Sequence, residues 1–533
     1  MEFNLADMLE SVVDVHPDRE ALVVGEDRLT YGEFDARANQ LAHHLLSIGV
    51  APGNHVGVQL YNGVEYLQTA LACLKIRAVP VNVNYRYVDH ELAHLYDDAD
   101  LVAVVVDVEF LERASTVASK LDRIKQLIVV GELGNARLEA NAIAFGDAVR
   151  PQPCNRDFEA RSADDLYIIY TGGTTGMPKG VMWRHEDIFF AGMGGGDPAG
   201  TPAQYPEQVA EKAKDRYPLT YFPVAPLMHG AAQLASWIGM LGGSKVVLVR
   251  KFDPQDVWET AAREKANSLS IVGDAMARPM AEKLAHIKDG LDLTSVFVIS
   301  SAGAILSQTV RDELSAHLPN AMIMDNFGAS ETGFQGTGVT GSSPDKGLHF
   351  TVNDRTTVLG EDLKPIVPGS GEVGKVAQRK HVPLGYYKDA KKTAETFIEI
   401  DGERWVMLGD MATIELDGSI TVFGRGSICI NTGGEKVFPE EVEAGLKAHP
   451  GIEDAVVTGV PDEKYGQRVV AVVQLKPDAA GVSEADVIAH ARTRVAGYKS
   501  PRVVVFVPSI QRSPSGKADY PWAAKIALEA VGG

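Results

Sequence analysis

The amino-acid sequence predicts an α/β protein with a large N-terminal domain of mostly parallel, covered sheets and a small α+β domain after it. Between residues 29 and 324, short apolar runs alternate with segments whose apolar residues recur at helical spacing. That alternation is typical of a parallel sheet covered by helices. After residue 424 a second, shorter series of strand and helix patterns begins, and about 100 residues are enough for a separate domain.

The first predicted helix begins next to Thr30. Thr30 and Glu33 have the spacing of a capping box, in which each side chain accepts from a backbone N–H at the start of a helix. Apolar residues follow at positions 34, 38, 41, 42 and 45, which are helical intervals. Gly49 is expected to end this helix.

Strand and helix candidates then alternate along the chain. Strands are predicted at residues 56–60, 79–83 and 101–106, with a helix at 65–76 and another before the third strand. The pattern restarts at residue 166 and continues with strands at 246–249, 296–300 and 321–324. Since each run precedes a polar or glycine-containing loop, ligand groups are expected at the carboxyl ends of these strands.

Two further stretches complete the prediction. Residues 192–217 are rich in glycine and proline, so we expect a mobile loop with a short helix from Pro206. The C-terminal part has helix patterns at 442–448 and 484–495 and strand patterns at 455–460, 469–475 and 503–507. Together these form the small α+β unit.

The stretch at residues 170–180 is rich in glycine and threonine and directly follows an apolar run. Its glycines let the backbone approach a ligand, its hydroxyls can donate to anionic oxygens, and Lys179 adds a positive charge. A Walker A loop needs Gly-Lys-[Ser/Thr] at the start of a helix, whereas Lys179 lies between Pro178 and Gly180. The stretch therefore predicts a polyphosphate loop of another type, with an ordinary surface hairpin as the alternative.

Composition narrows the class of protein. The chain has 533 residues, of which 45% are hydrophobic and 23% charged, as expected for a globular protein of about two to four domains. A formal net charge of −20 argues against nucleic acid or an anionic membrane as the main partner. Cys73, Cys154 and Cys429 lie far apart without metal-ligand spacing, which suits a reducing compartment. With no secretory signal and no run of about 18 apolar residues, we expect a soluble, cytoplasmic protein without an integral membrane segment.

Seven motifs, in order, resemble those of the ANL superfamily of acyl-CoA synthetases, adenylation domains and luciferases, over essentially the whole chain. They are the stretch 170–180, Asn326-Phe327-Gly328-Ala329-Ser330-Glu331-Thr332-Gly333, Leu408-Gly409-Asp410, Phe423-Gly424-Arg425, residues 433–443, residues 462–466 and Ser515-Gly516-Lys517. The resemblance implies the ANL fold, with an N-terminal domain at 1–424, a hinge at 425–428 and a mobile C-terminal domain at 429–533.

The resemblance also implies a reaction. An ATP- and Mg²⁺-dependent enzyme would join a carboxylic acid to AMP with release of pyrophosphate, and would then transfer the acyl group to CoA with release of AMP. Because the carboxylate and the triphosphate are both anions, positive charge and oriented donors are the main means of lowering the barrier.

Site residues are implied by the same motifs. The triphosphate would be held by Thr171, Gly172, Gly173, Thr174, Thr175, Gly176 and Lys179. Glu331 would hold Mg²⁺, and Ser330, where the family more often has Thr, would contact the α-phosphate. Phe327 would stack on adenine against Ser301, Ala302 and Gly303, in a nucleotide site that also includes Asp325, Asn326 and Gly328. Asp410 and Arg425 would bind the ribose, and Lys517 would bridge the carboxylate and the α-phosphate.

The second half of the implied reaction uses other residues. His229 matches a position near the junction of the acyl pocket and the CoA tunnel and is grouped with Lys517 and Glu331 as catalytic. The hinge residue is Ser427, where the family usually has Asp or Lys, so only its backbone freedom is retained in the prediction. After rotation of the small domain, Gly433, Gly434 and Lys436 would line the CoA tunnel.

The acid is the least constrained part of the prediction. The stretches expected around the acyl pocket are rich in small residues and contain no Lys or Arg for a second carboxylate: Ala191, Gly192, Gly194, Gly195, Gly196, Gly230, Ala231, Ala232, Gly273, Ala275 and Ala277. A medium- or long-chain fatty acid or a steroid side-chain acid is therefore expected. The alternative is that these glycines only serve turns.

Two other functions are open at this point. One is an adenylating enzyme that loads the phosphopantetheine of a carrier protein, and the other is a nucleotide-binding regulator without turnover. Association into a homodimer is also left open.

Overall fold

The computed structural model describes most of the chain. The described residues are 1–133, 141–171, 177–304, 306–339, 348–425, 428–432, 435–462, 466–479, 481–495, 497–512 and 517–531.

The helices of this part of the chain are mostly amphipathic and cover the sheets. They are α1 (Leu5–Val15), α2 (Tyr31–Ser47), α3 (Val64–Lys75), α4 (Asp89–Asp98), α5 (Leu111–Ala118), α6 (Phe145–Val149), α7 (His185–Gly192), α8 (Gln208–Asp215), α9 (Gly230–Leu241), α10 (Pro254–Arg263), α11 (Gly273–Ile287), α12 (Gln308–His317), α13 (Ala390–Thr396), α14 (Pro439–Lys447), α15 (Glu484–Arg494) and α16 (Tyr520–Val531).

The strands are mostly short. They are β1 (Glu20–Val24), β2 (Asp27–Thr30), β3 (His55–Gln59), β4 (Val79–Asn82), β5 (Leu101–Asp107), β6 (Gln126–Val130), β7 (Ala142–Ala144), β8 (Leu166–Thr171), β9 (Lys179–Arg184), β10 (Thr220–Pro223), β11 (Lys245–Leu248), β12 (Ser268–Ile271), β13 (Val298–Ala302), β14 (Met322–Ala329), β15 (Gly333–Val339), β16 (Leu348–Val352), β17 (Thr356–Leu359), β18 (Gly374–Arg379), β19 (Gly385–Tyr386), β20 (Phe397–Ile400), β21 (Glu403–Val406), β22 (Asp410–Ile414), β23 (Ile420–Arg425), β24 (Ile430–Thr432), β25 (Glu435–Val437), β26 (Ile452–Asp462), β27 (Gly466–Leu475) and β28 (Val503–Phe506).

Three sheets organise the described residues. The first has the order β2-β1-β11-β10-β12-β13-β14-β15-β16-β23-β22-β18-β21-β20, with β17 on β18. It is parallel from β1 to β14 and antiparallel from β14 onward. The second has the order β19-β9-β8-β4-β3-β5-β6-β7, with parallel pairing from β8 to β7. The third has the order β25-β24-β27-β26, with β28 on β27.

The predicted α/β class and most predicted elements are confirmed. The capping box of Thr30 and Glu33 is present at the start of α2, and the strand patterns at 56–60, 79–83 and 101–106 correspond to β3, β4 and β5 within one residue at each end. The helix expected from Pro206 is α8, two residues later. The antiparallel part of the first sheet after β14 was not predicted. Its first strand, β15, has three glycines among seven residues, and glycine weakens a strand pattern.

The main hydrophobic core lies between the two large sheets and includes α1, α2, α3 and α9. A second core covers the other face of the second sheet under α4 and α5. Three smaller clusters lie entirely within residues 430–531. The C-terminal unit therefore has cores of its own, as an independent domain requires.

A buried ion network joins the first three helices. Lys75 of α3 is fully buried and contacts the carboxylates of Glu10 in α1 and Asp35 in α2. Arg161 and Arg156 complete the network, with Arg161 Nη2 2.5 Å from Glu10 Oε2 and Arg156 Nε 2.8 Å from Asp35 Oδ2. Burial alone would raise the pKa of both carboxyl groups, but the neighbouring Arg and Lys charges lower it below the usual value.

We expect Lys75→Met to lower the free energy of unfolding by about 3–5 kcal/mol at pH 7, because two buried carboxylates lose their shared cation. Lys392→Met is the matched control, since Lys392 and Glu395 form an exposed pair, and it should change stability by less than about 0.5 kcal/mol. Urea unfolding followed by tryptophan fluorescence measures both.

Measurements at acid pH show whether the stability lost in Lys75→Met comes from charge. Since the folded-state pKa values of Glu10 and Asp35 are lowered, their stabilisation is present above their unfolded values and is lost as pH falls through the folded ones. The deficit of Lys75→Met should therefore be full at pH 7 and shrink below about pH 4. A deficit that is constant with pH would contradict the ionic explanation.

Candidate active site

The parallel strands β12, β13 and β14 bring three predicted segments to one edge of the first sheet. Ser301 is the register partner of Asp325, and Ala302 that of Asn326, with Gly303 directly after β13. The hydroxyl oxygen of Ser301 accepts from the backbone N–H of Gly273 at 3.0 Å, which fixes the start of α11 next to β13. The predicted adenine-side residues therefore lie side by side.

The turn after β14 is held by close packing. The ring of Phe327 stacks on Phe350 with centroids 5.0 Å apart and an interplanar angle of 24°. A Cβ atom at Gly328 would lie 2.1 Å from the carbonyl oxygen of Gly333, so only glycine fits where β14 meets β15. This packing holds Phe327 at the carboxyl end of the sheet, beside Ala302 and Asn326.

Asp325 is buried beneath this edge. Burial raises the pKa of Asp325 to about 7, although the positive charge of Arg311 opposes the shift. The guanidinium Nη2 of Arg311 lies 3.7 Å from the Asp325 carboxylate. The side chain of Asp325 is therefore part of the buried support of β14, next to Arg311.

The predicted phosphate loop joins β8 to β9. These strands are antiparallel, and Thr171 is paired with Lys179. Gly172, Gly173, Thr174, Thr175 and Gly176 lie outside the described residues. The ammonium Nζ of Lys179 lies 2.6 Å from Oδ2 of Asp389. The other carboxylate oxygen of Asp389, Oδ1, accepts from the backbone N–H of Lys392 at the start of α13.

Glu331 lies near the same lysine. One carboxylate oxygen of Glu331 accepts from the hydroxyl of Tyr386 at 2.9 Å. The ammonium of Lys179 lies over the ring of Tyr386, 5.8 Å from its centroid. Ser330 precedes Glu331, and its carbonyl oxygen accepts from Trp183 Nε1 at 2.9 Å. Tyr386 thus contacts both a cation, Lys179, through its ring and a carboxylate, Glu331, through its hydroxyl.

Asp410 and Arg425 occupy opposite positions in neighbouring antiparallel strands. Asp410 opens β22, and its register partner is Arg425 at the end of β23. The two ribose-side residues of the prediction are therefore adjacent in the backbone, although they are 15 positions apart in the chain.

His229 and Lys517 are 288 positions apart in the chain, but the charge of Lys517 acts on His229. His229 precedes α9, and burial together with the positive charges of Arg86 and Lys517 lowers its pKa to about 4. An electrostatic effect of this kind requires Lys517 to lie near His229. With its pKa lowered to about 4, His229 is neutral at pH 7.

The C-terminal unit also docks through α11. Arg278 Nε lies 3.4 Å from Oε1 of Glu453 at the start of β26. Of the other predicted residues here, Ser427, Gly433 and Gly434 lie outside the described residues, and Lys436 lies in β25 as the register partner of Asn431.

The small residues expected around the acyl pocket differ in what they do. Gly194, Gly195 and Gly196 have φ values of 61°, 61° and 78°, and Cβ atoms there would meet Pro198, Pro202 and Phe189 within 3.2 Å. These three glycines serve a tight, packed turn after α7, so they do not leave open volume. The prediction that Gly194, Gly195 and Gly196 leave volume for the acid is therefore wrong.

Metal and membrane features are limited in the described residues. No group of three or more His, Cys, Asp or Glu side chains could hold a metal ion there. No described helix is both long enough and apolar enough to span a bilayer. Cys73, Cys154 and Cys429 form no disulfide.

Three residues that support the site were not identified from the sequence. The side-chain amide of Asn82 donates to the carbonyl oxygens of Tyr170 and Met228, both at 2.8 Å, and so ties the phosphate strand to the segment before His229. Tyr386 and Asp389 hold Glu331 and Lys179 as described above. Asn82 carried a usable signal, because it is a polar residue at the carboxyl end of a buried strand.

Comparison with known proteins gives the same assignment. Residues 9–387 match the AMP-binding enzyme family, and residues 441–517 match the AMP-binding enzyme C-terminal domain. A medium/long-chain-fatty-acid–CoA/3-oxocholest-4-en-26-oate–CoA ligase of Mycolicibacterium smegmatis is 44% identical, over 99% of this chain and 97% of the relative. A 3-oxocholest-4-en-26-oate–CoA ligase of Rhodococcus rhodochrous is 43% identical, over 98% and 96%.

Solved structures share the fold. The ATP-bound MatB of Rhodopseudomonas palustris superposes with a TM-score of 0.82 at 24% identity, over 100% of both chains. An anthranilate CoA ligase in complex with anthranoyl-AMP gives 0.81 at 23% identity, over 99% of this chain and 98% of that one. From its sequence motifs, both family matches and full-length relatives, this chain belongs to the AMP-binding enzyme family of the ANL superfamily.

Proposed function

We propose that this protein is an ATP-dependent acyl-CoA ligase that acts on a hydrophobic carboxylic acid. The observation that carries the proposal is the meeting of Lys179, Tyr386 and Glu331: the lysine lies over the tyrosine ring, and the glutamate accepts from the tyrosine hydroxyl. The charge of Lys517 also acts on His229. Family membership supports the same chemistry.

The first step joins two anions, and the charged residues have a clear part in it. A carboxylate oxygen of the acid forms a bond to the α-phosphorus of ATP, and the bond from that phosphorus to the leaving pyrophosphate breaks. Lys517 binds both the attacking carboxylate and an α-phosphate oxygen, and so offsets their repulsion. Lys179 and the hydroxyls of the phosphate loop stabilise the charge on the departing pyrophosphate.

The nucleotide is oriented by the edge of the first sheet. Adenine lies between Phe327 and the backbone of Ser301, Ala302 and Gly303. Asp410 accepts from the ribose hydroxyls, and Arg425, opposite it, donates to the ribose. The hydrogen-bond registers of β13 with β14 and of β22 with β23 fix the positions of these residues. The protein can therefore hold the base and the ribose without much rearrangement.

A magnesium ion belongs to the proposal, with Glu331 as its protein ligand. The hydrogen-bond donor to this carboxylate is the neutral hydroxyl of Tyr386, so Glu331 can serve a cation brought by ATP. Mg²⁺ is commonly held by one or two carboxylates together with substrate phosphates. When bound, it would neutralise part of the triphosphate charge.

The acid is proposed from the names of the relatives and from the absence of charge on His229. The relatives are named for medium- or long-chain fatty acids and for a steroid side-chain acid. His229 is half-buried and its pKa is lowered to about 4, so this side of the site carries no imidazolium charge at physiological pH. An apolar pocket gains about 0.8 kcal/mol per buried CH₂, which favours a long or ring-bearing acid over acetate.

The second step transfers the acyl group to CoA. The thiol sulfur attacks the acyl carbon, the bond to AMP breaks, and the thiol proton passes to solvent. We propose that the domain at 429–533 rotates about the hinge at 425–428, through Ser427, and that Gly433, Gly434 and Lys436 then line the CoA tunnel. The proposal includes a cytoplasmic location, which suits three cysteines without a disulfide.

The decisive experiment is acid-dependent release of pyrophosphate, followed by formation of AMP when free CoA is added. We expect kcat/KM to rise from acetate through octanoate to palmitate, and to be high for a sterol side-chain acid. Preference for acetate or propionate would refute the hydrophobic acid. Pyrophosphate release with no use of free CoA would indicate a carrier protein as acceptor, and the absence of pyrophosphate release with any acid would indicate a regulator.

The second experiment separates the half-reactions. Lys517→Ala should reduce acyl-adenylate formation by roughly 10²-fold or more, the usual scale for one transition-state donor. Supplied acyl-adenylate and CoA should still give thioester at close to the normal rate, because Lys517 leaves the site for that step. Lys525→Ala is the control, since Lys525 lies on α16 in the same domain. Equal loss in both half-reactions would contradict the role.

The third experiment tests the docking of Lys517 directly. Removing a positive charge near His229 should raise its pKa from about 4 toward its ordinary value in Lys517→Ala, as followed by NMR titration of labelled histidines. His185 is the internal control, because its pKa is also about 4 but its causes are burial, Asp165 and Arg161. If the titration of His229 does not move, Lys517 does not approach it in solution.

A further inference from the structure

Tyr386 contacts two oppositely charged side chains, Lys179 and Glu331. The proposed function needs each of them to bind a ligand and not the other. Its side chain is buried, with 6% of the residue exposed. Its hydroxyl donates to Glu331 at 2.9 Å, while Lys179 lies over its ring face. One residue thus contacts both the proposed metal ligand and the proposed phosphate-binding cation.

The two charged groups do not pair with one another in the part of the chain that the structure describes. Lys179 contacts Asp389 at 2.6 Å, and Glu331 contacts Tyr386. A lysine and a glutamate this close to one ring would gain Coulomb energy by meeting directly. The ring of Tyr386 and the carboxylate of Asp389 give each group another partner, so both stay available to a ligand.

The position of Tyr386 is itself fixed from two sides. Tyr386 pairs with Val181 of β9, the strand that carries Lys179, and its backbone N–H donates to the hydroxyl of Thr393 in α13. The ring therefore cannot move without disturbing either the phosphate strand or the helix. This is the arrangement expected of a residue that orients a metal ligand through a hydrogen bond.

We infer that Tyr386 is a positioning residue for adenylation, which orients the Glu331 carboxylate toward the metal of the bound nucleotide. The inference rests on the proposed function, since it needs Glu331 to serve Mg²⁺ and Lys179 to serve the phosphates. In this role Tyr386 does not touch substrate, because its hydroxyl acts through Glu331.

The test uses Tyr386→Phe, which keeps the ring under Lys179 and removes only the hydroxyl. The adjacent residue supplies a matched control: the hydroxyl of Tyr387 also donates to a carboxylate, that of Asp100, at 2.8 Å. Binding of Mn²⁺ in the presence of a non-hydrolysable ATP analogue gives a readout that is independent of turnover. The Mg²⁺ dependence of adenylation gives a second.

We expect Tyr386→Phe to weaken Mn²⁺ binding about tenfold, the lower end of the usual effect of losing such a hydrogen bond. Adenylation should fall at low Mg²⁺ and recover at high Mg²⁺, while thioester formation from supplied acyl-adenylate and CoA stays unchanged. Tyr387→Phe should leave metal binding within twofold of the unmodified protein.

Two outcomes would overturn the inference itself, and a third would refute the proposed function on which it rests. Equal metal affinity in Tyr386→Phe and Tyr387→Phe would show that the hydroxyl does not orient the ligand. Equal loss of both half-reactions without a change in metal affinity would indicate a merely structural residue. Failure of the unmodified protein to release pyrophosphate with any acid would instead refute the proposed function, and the two failures are therefore distinguishable.

Discussion

The alignment of parallel strands is the constraint on which the site depends. Parallel pairing of β12, β13 and β14 sets Ser301 beside Asp325 and Ala302 beside Asn326, so segments far apart in the chain end at one edge. The same rule in the second sheet brings the end of β8 beside the end of β4, where Asn82 binds the carbonyl oxygen of Tyr170. The backbone registers, more than any single side chain, decide which chemical groups can meet.

Local sequence patterns predicted the elements that local physics controls. The capping box at Thr30 and the apolar run of β5 need no information from elsewhere in the chain, and both are present. The motifs around Lys179, Glu331, Asp410 and Lys517 were likewise visible because their residues are contiguous.

Contacts across the two sheets could not be predicted in this way. The pair of Lys179 and Asp389 spans 210 positions, and the bond from Tyr386 to Glu331 spans 55. Both depend on β19 joining β9, a two-residue strand without a periodic pattern of its own. The glycines at 194–196 led to an error of another kind. Their small size suggested open space, but the backbone there turns tightly against Pro198 and Pro202.

The ion pair of Arg278 with Glu453 joins the C-terminal unit to α11 and is only partly enclosed, with side chains 7% and 26% exposed. The domain rotation proposed above would require this contact to open once in every cycle, which sets an upper limit on its strength. A pair with one side in water contributes up to about 1 kcal/mol, which slows its opening by about fivefold. A dry pair of several kcal/mol would slow opening by hundreds of times and would make domain movement, not chemistry, the slowest step. The partial exposure of Glu453 thus keeps the docked orientation favoured but readily reversible.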